Sequence, residues 1–539
     1  MSLASCTTNA TQASVLLLCA TGLTLIALWS RRPKSFLPLP PGPRPIYALG
    51  NLRDFTSKEL WVRSRQWAKD YGSIVYLHIL GQGIVFLNTP EAVSELLDKR
   101  GDIYSDRPQF AMACELCAGK DMVAFIRYGD QSKRQRKYMQ KALGASSIRE
   151  YQPLITTETA SFLNRLLHNP TDYVNVLRRS ALAIRLITSQ LRLISHGRYA
   201  GGLTLFVIYG HEVKSSNDAF LAMADNCVRL FSNRIANPGT LWAVDIIPAL
   251  RFLPSWLPGM SFKRQAKVWK ATMQEFVDAP FEFAQDLVGK GIAMPSFCRT
   301  LLADGREGLT EQEVFDIKWT ANSMYAGSID TTRALVENFI HAMVTHPDVR
   351  ARAQAEIDAV VGADRLPSFA DRASLPYIEC VMSECLRWAA PVPLGLPHRL
   401  MADDVYNGMF MPKGTLVVGN NWAIMRDSTM YPNPDVFYPE RFMTEIPGSN
   451  GARRRDPRQY VFGFGRRRCP GAHLIESSAW LLMVSMLATL DVGKAVDANG
   501  STIEPRVTFD DAVFRIPSSF EFSLKPRSAR AAELIRQSN

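Results

Sequence analysis

Hydrophobic and polar positions separate sharply at the amino end of this chain. From Ala13 to Trp29 the run ASVLLLCATGLTLIALW carries no charge, and Arg31, Arg32 and Lys34 follow it at once. A run of that length sits at the lower limit for a helix crossing the hydrocarbon core of a bilayer. Because the basic residues follow the run instead of preceding it, the pattern predicts a retained anchor over a cleaved signal peptide. Positive flanks stay cytoplasmic, so residues 1–30 are expected to supply a lumenal tail and transmembrane anchor, with the rest facing the cytosol. The next stretch, FLPLPPGPRP from Phe36 to Pro45, is rich in a residue that fixes φ and lacks a donor. Residues 31–45 therefore read as a basic, stiff hinge.

Beyond the hinge, short apolar runs at Ser73 to Ile79, Gly83 to Thr89 and Gly414 to Asn420 predict strands, and helical periodicity dominates the remainder. The longest helix is expected to start at Thr310, which forms a capping-box pattern with Glu313, and to run to about Val344 before His346-Pro347 ends it. A helix of that length should cross the middle of the fold. A second, Ile378 to Trp388, precedes the proline-punctuated APVPLGLPHRL. One segment breaks the pattern: Leu182 to Ala200 brings Arg185, Arg192, His196 and Arg198 into an apolar stripe that a direct join of Ala181 to Gly201 would continue. It reads as a surface excursion or a translated intron. With no internal repeat and no second linker, residues 46–526 are expected to form one domain followed by a tail, 527–539.

Composition adds two constraints. The 539 residues are 47% hydrophobic and 21% charged, which excludes a disordered or low-complexity scaffold. The net charge of +11 favours an anionic partner without choosing among nucleic acid, membrane and acidic protein. Nine cysteines, an odd number thinly spread, argue for a reducing compartment over a disulfide framework. Asn9-Ala10-Thr11 is a glycosylation sequon on the expected lumenal side, whereas Asn499-Gly500-Ser501 would face the cytosol.

Near the carboxyl end, FGFGRRRCPG places Phe462, Gly465, Arg467, Cys469 and Gly471 in the pattern FxxGxRxCxG. A thiolate that ligates iron needs donors and positive charge around its sulfur. It also needs glycines that turn backbone N–H groups toward it, and a cation for an anionic cofactor edge. The competing reading is a buried structural cysteine in a basic loop. With this motif the sequence resembles the cytochrome P-450 family of haem-thiolate monooxygenases, from the anchor to about Pro526. The resemblance implies a mainly α fold with small β-sheets behind the anchor.

Three further motifs agree in order. Glu384-Cys385-Leu386-Arg387 matches the family's ExxR, whose pair locks onto the arginine of a PERF-like segment, here Arg441 in Pro439-Glu440-Arg441-Phe442. GSIDTT, Gly327 to Thr332, matches the oxygen-activation pattern, with Asp330 and Thr331 as the acid and alcohol that relay protons to dioxygen. The resemblance further implies haem b ligated by Cys469, with Arg136, His398 and Arg467 holding its propionates. Electrons would come from an NADPH-cytochrome reductase, with cytochrome b5 as an optional second donor, because the chain has no dinucleotide fingerprint of its own.

Two constellations are decoys on this reading. Cys114-Glu115-Leu116-Cys117 is half a zinc site without its other half and is read as part of a loop over the substrate pocket. Arg453-Arg454-Arg455 lacks interleaved aromatics and suits reductase docking better than nucleic acid. Two positions depart from the family: Ser132 stands where a tryptophan usually hydrogen-bonds haem, and Ser328 replaces a glycine. The stretch DDVYNGMFMPKGTLVVGNNWAIMRD resembles fungal enzymes of the O-methylsterigmatocystin oxidoreductase type. The implied reaction is insertion of one dioxygen atom into a lipophilic terpenoid, polyketide or aromatic substrate, in secondary metabolism or xenobiotic oxidation at the endoplasmic reticulum membrane. The rivals are a non-oxidative haem-thiolate isomerase or dehydratase and an inactive haem-binding paralogue.

Overall fold

The structure, a computed structural model, describes residues 36–47, 49–168, 202–213, 218–237, 240–303, 308–443, 456–497, 499–509, 512–518 and 520–538. The anchor run Ala13 to Trp29, the segment Leu182 to Ala200 and the run Arg453 to Arg455 lie outside these residues.

The early apolar runs form β1 (Ile74–Ile79) and β2 (Gln82–Leu87), an antiparallel hairpin with Ile74 opposite Leu87. Its turn uses Leu80 and Gly81, both at positive φ. Downstream, β3 (His398–Arg399), β4 (Asp404–Tyr406), β5 (Met409–Met411) and β6 (Leu416–Gly419) follow in sequence. The chain returns β6 alongside β2 in parallel, giving the order β1-β2-β6-β3, while β4 and β5 pair separately. Both faces of this sheet are covered, which is why its strands read as continuous apolar runs instead of alternating ones. A second sheet orders β8 (Thr502–Ile503), β7 (Leu490–Val496) and β9 (Phe522–Pro526). The proline segment lies against the first sheet and the β4–β5 pair: Pro41 O accepts from Tyr76 N–H and Pro38 O from Phe410 N–H.

The helices that position the site are α1 (Leu60–Tyr71), α2 (Asp130–Leu143), α3 (Ala145–His168), α4 (Ala219–Leu230), α5 (Ser261–Gly289), α6 (Glu311–Thr345), α7 (Pro347–Val360), α8 (Pro376–Ala389) and α9 (Ala472–Thr489). The capping box forms as the sequence predicts, with Glu313 N–H donating to Thr310 Oγ1 at 3.2 Å and Thr310 N–H to Glu313 Oε2 at 3.0 Å. From there α6 runs 35 residues and touches α2, α4, α5, α7, α8 and α9. Its Tyr325, Phe339 and Met343 join Trp480 and Leu482 of α9 in the main core. Among the described residues α9 is the one helix long and apolar enough to cross a membrane, but most of it is buried, so it is a core helix. Beyond Pro526, Arg527 pairs with Asp358 of α7 and a last helix, Ala529–Gln537, buries Ala531, Ala532 and Ile535.

The predicted helix Ile378 to Trp388 is α8, extended at both ends by a residue or two, with Pro376 at its first turn. Glu384 and Arg387 face the interior and are fully buried, joined by two bonds of 2.7 Å. Arg441 adds its Nε at 3.2 Å. Both guanidinium groups then exhaust their donors on carbonyls: Arg387 on Met425, Pro434 and Val436, and Arg441 on Pro432, Asn433 and Val436. One carboxylate thus holds two arginines that fold the irregular stretch from Met425 to Phe442 against α8. Removing it strands two buried charges, a change that costs about 3 to 5 kcal/mol in comparable sites. Glu384→Ala is therefore expected to lower the urea midpoint severely or abolish soluble protein, whereas Asp286→Ala, which breaks an exposed pair with Lys290, should change it little. Equal effects of the two substitutions would contradict the assignment.

Candidate functional site

The remaining sequence-predicted site residues lie on four segments, of which the cysteine loop is the first. The loop before Cys469 is shaped by close approaches that only glycine allows. A Cβ on Gly465, at φ +52°, would lie 2.1 Å from Leu97 O, and one on Gly419 would lie 2.5 Å from the Phe464 ring. Gly465 N–H donates to Asp98 at 2.6 Å, and Cys469 N–H returns to Phe462 O at 2.7 Å. Gly471 caps α9, so the positive end of a buried 18-residue helix stands at the sulfur. The Cys469 side chain is exposed to a water-sized probe, yet protein surrounds it densely enough that burial raises its thiol pKa. Gly471 N–H, Arg136 and Arg468 act in the opposite direction. The sulfur therefore lies on an internal surface where a ligand or positive charge would turn it to thiolate.

Above the loop, α2 is fixed along its amino-terminal half. Arg134 Nε reaches the buried Asp316 of α6 at 2.7 Å, and Arg136 Nη2 donates to Arg468 O at 2.6 Å. Ser132 closes the start of α2: its hydroxyl donates to Gly129 O and accepts from Gly129 N–H. The residue that departs from the family pattern thus has a local structural task.

Arg467 is buried and spends its donors on Ser105 O, Val123 O and Ile126 O. Burial and the neighbouring Arg136 push it down to about 10. His398, also buried, donates Nδ1–H to Tyr104 O at 2.8 Å, and burial with Arg107 and Arg467 nearby holds its imidazole well below the ordinary value. Sequence reasoning missed the fourth member, Arg107. Its Nη1 donates to Leu396 O and Pro397 O, its Nε is buried without an acceptor, and burial, Arg467 and Arg136 drive its pKa down. In the sequence it is one of 62 Lys and Arg residues, with no spacing that ties it to Cys469. Asp106 acts on this group too, but accepts from Tyr128 N–H and faces Arg399 at 3.5 Å. A buried surplus of positive charge without its counter-acid fits an anionic ligand edge.

Along α6 the exposure changes within one turn. Gly327 is exposed in an otherwise buried helix, a Cβ there would meet nothing within 4 Å, and Thr331 one turn on is half-exposed. Thr331 Oγ1 donates to Gly327 O at 2.7 Å, and Ser328 Oγ donates to Tyr325 O. Asp330 turns the other way: it is buried, accepts weakly from Ser232 at 3.4 Å, and burial pushes its carboxyl up to about 6 despite Arg333. The acid and alcohol are adjacent in sequence, but only the alcohol borders the open groove.

The Cys114 segment is a helical turn, Ala111–Leu116, not the loop expected from sequence. Both thiols are buried and raised to about 12, and no metal-ligand cluster occurs among the described residues.

The cysteine loop supplies a sulfur and the cationic wall a buried surplus of positive charge, a donor set that fits haem with its iron and its anionic edge. Comparison with protein families matches the Cytochrome P450 description over residues 40–507. The chain is 38% identical to "Cytochrome P450 monooxygenase 176" of Postia placenta, covering 93% of this chain and 92% of that one. It is 39% identical to "Cytochrome P450 monooxygenase claT" of Ampulloclitocybe clavipes, over 94% of each. It is 35% identical to "Tryptamine 4-monooxygenase" of Psilocybe cyanescens, over 91% and 93%.

Asp330 generates a pH test. Its folded carboxyl keeps a proton that the unfolded chain, at the ordinary 3.8, has released. Stability from this residue therefore falls as pH rises from about 4 to 6, and the full penalty, about 3 kcal/mol at most, is present above pH 6. Asp330→Asn should be more stable than wild type to urea at pH 7, with the advantage vanishing below pH 4. A difference that does not vary with pH would contradict this.

Proposed function

The chain belongs to the cytochrome P450 family, and on that premise we propose that it is a haem-thiolate monooxygenase acting on a small lipophilic substrate. The observation that carries the proposal is the Cys469 loop together with the arginines Arg107, Arg136 and Arg467 and the buried His398, a group whose positive charge lacks a matching number of acids among the described residues. Cys469 would ligate the iron of haem b, and Arg107, Arg136, Arg467 and His398 would hold its propionates. Phe462, Gly465 and Gly471 shape the loop that presents the sulfur. Glu384, Arg387 and Arg441 are structural.

Haem, when bound, supplies the reductive splitting of dioxygen, with one atom entering the substrate and the other leaving as water. The chain's own residues supply the rest. Gly327 leaves room beside α6, and Ser328, tied to Tyr325 O, keeps its hydroxyl on the helix backbone. Thr331 borders the groove with its hydroxyl, whose proton rests on Gly327 O. Asp330, whose carboxyl burial pushes up to about 6, exchanges protons from the protein side through Ser232. The intact acid and alcohol argue against a non-oxidative isomerase or dehydratase. The cap made by Ser132 leaves the cationic wall complete without a tryptophan, which argues against an inactive paralogue.

The remaining parts of the reading rest on the sequence. Residues 1–30 anchor the protein in the endoplasmic reticulum membrane as a single pass, with residues 46–526 cytosolic. An NADPH-dependent reductase, with cytochrome b5 as a second donor, docks beside the basic run Arg453 to Arg455. Terpenoid, polyketide or aromatic compounds of fungal secondary metabolism are the substrate class, and nucleic acid is not a partner.

Two substitutions test the chemistry. Reduced protein with carbon monoxide should show the red-shifted Soret band of thiolate-bound haem, and Cys469→Ser should lack it; an unchanged band in the variant removes Cys469 as ligand. Thr331→Ala should keep haem and consume NADPH with reductase present, but release hydrogen peroxide at the expense of product. Unchanged coupling takes Thr331 out of the mechanism.

A further inference from the structure

The buried arginines among the described residues are Arg107, Arg387, Arg426, Arg441, Arg467 and Arg515. Arg387 and Arg441 share Glu384, and Arg426 reaches Asp435 at 3.5 Å. Arg107 and Arg467 belong to the cationic wall. Arg515 is left over. No carboxylate among the described residues lies within ion-pair distance of it, and the acid that acts on it, Glu59, is exposed.

Its surroundings are aromatic. The guanidinium lies 3.3 Å from the Phe509 ring centroid, 4.8 Å from that of Trp422 and 5.9 Å from that of Trp388. Its bonds are few and long: Nη1 to Asn338 Oδ1 at 3.4 Å and to Ala389 O at 3.2 Å, while Nε is buried without an acceptor. The backbone is better fixed, with Arg515 N–H donating to Pro391 O at 3.0 Å and Arg515 O accepting from Asn338. Burial pushes its pKa down to about 9, so it stays charged at neutral pH. Cation–π contact offsets part of the desolvation, but a guanidinium whose Nε has no acceptor is best matched by a carboxylate.

Its position bears on the site. Asn338 follows Thr331 by seven residues on α6, which puts the two on one helix face about 10 Å apart along the axis. The loop over residues 390–397 begins at Arg515, through Ala389 O and Pro391 O, and ends at Arg107, through Leu396 O and Pro397 O. We propose that Arg515 is a recognition subsite for a carboxylate carried by a lipophilic substrate, held among Phe509, Trp422 and Trp388. This deepens the monooxygenase reading and rests on it.

The test uses the full-length, haem-loaded protein, titrated with dodecanoate, methyl dodecanoate and acetate, and followed by Soret absorption and melting temperature. Wild type should bind dodecanoate at least tenfold more tightly than its methyl ester. Arg515→Gln should lose that ratio while binding the ester as wild type does, and Arg515→Lys should keep part of it. Equal binding of acid and ester by wild type, including no binding of either, overturns the subsite. So does a ratio that survives in Arg515→Gln, or an acetate-dependent rise in melting temperature unaccompanied by any preference for dodecanoate, which would mark a free-ion site. The carbonyl spectrum separates the two levels: a wild type without the red-shifted band defeats the monooxygenase reading, whereas a normal band with no acid preference defeats Arg515 alone.

Discussion

One carboxylate in the dark interior decides where much of this protein goes. Glu384 pairs with Arg387 and Arg441 together, and the three groups are fully or almost fully excluded from solvent. Their leftover donors take up five carbonyls of the stretch from Met425 to Phe442, Val436 O accepting from both arginines, and that stretch has almost no regular structure to satisfy them otherwise. A buried ion pair is seldom a net source of stability, but it is intolerant of other geometries. Here that intolerance sets the course of the chain as it heads toward the cysteine loop.

The site uses charge in the reverse sense. Around Glu384, positive groups are matched by acid and carbonyl. In the cationic wall Arg107, Arg136, Arg467 and His398 have only Asp106 as a nearby acid among the described residues, and burial first, joined by repulsion from neighbouring arginines at Arg107, Arg467 and His398, depresses their pKa values. The same contrast runs along α6, where buried aromatic positions give way to an exposed Gly327 and a half-exposed Thr331. Departures from close packing and from charge balance coincide with the residues assigned to chemistry, as expected when function competes with stability.

Much of this was legible in the sequence because the signals are local. Thr310 and Glu313 mark a helix start through a bond between residues three apart, and the apolar runs at Ile74–Ile79 and Leu416–Gly419 mark buried strands through burial alone. Glu384 and Arg387 share a helix face by spacing, and their link to Arg441 came from motif order. What escaped depends on distant contacts. Arg107 becomes significant only when the chain from Tyr104 to Arg107 meets Leu396 to His398 and the cysteine loop. Arg515 becomes significant only when every other buried arginine is seen to be matched or assigned. Nor does adjacency in sequence reveal that Asp330 and Thr331 face different sides of α6.

The central claim is that Cys469 would ligate haem iron as thiolate while the cationic wall would hold the anionic edge of the haem. Iron K-edge X-ray absorption of the purified, haem-loaded protein addresses it directly, because sulfur and nitrogen scatterers are distinguishable in the first coordination shell. The account predicts one sulfur beside the porphyrin nitrogens, absent from Cys469→Ser protein reconstituted with haem. A first shell of nitrogen and oxygen alone in the wild type would contradict it.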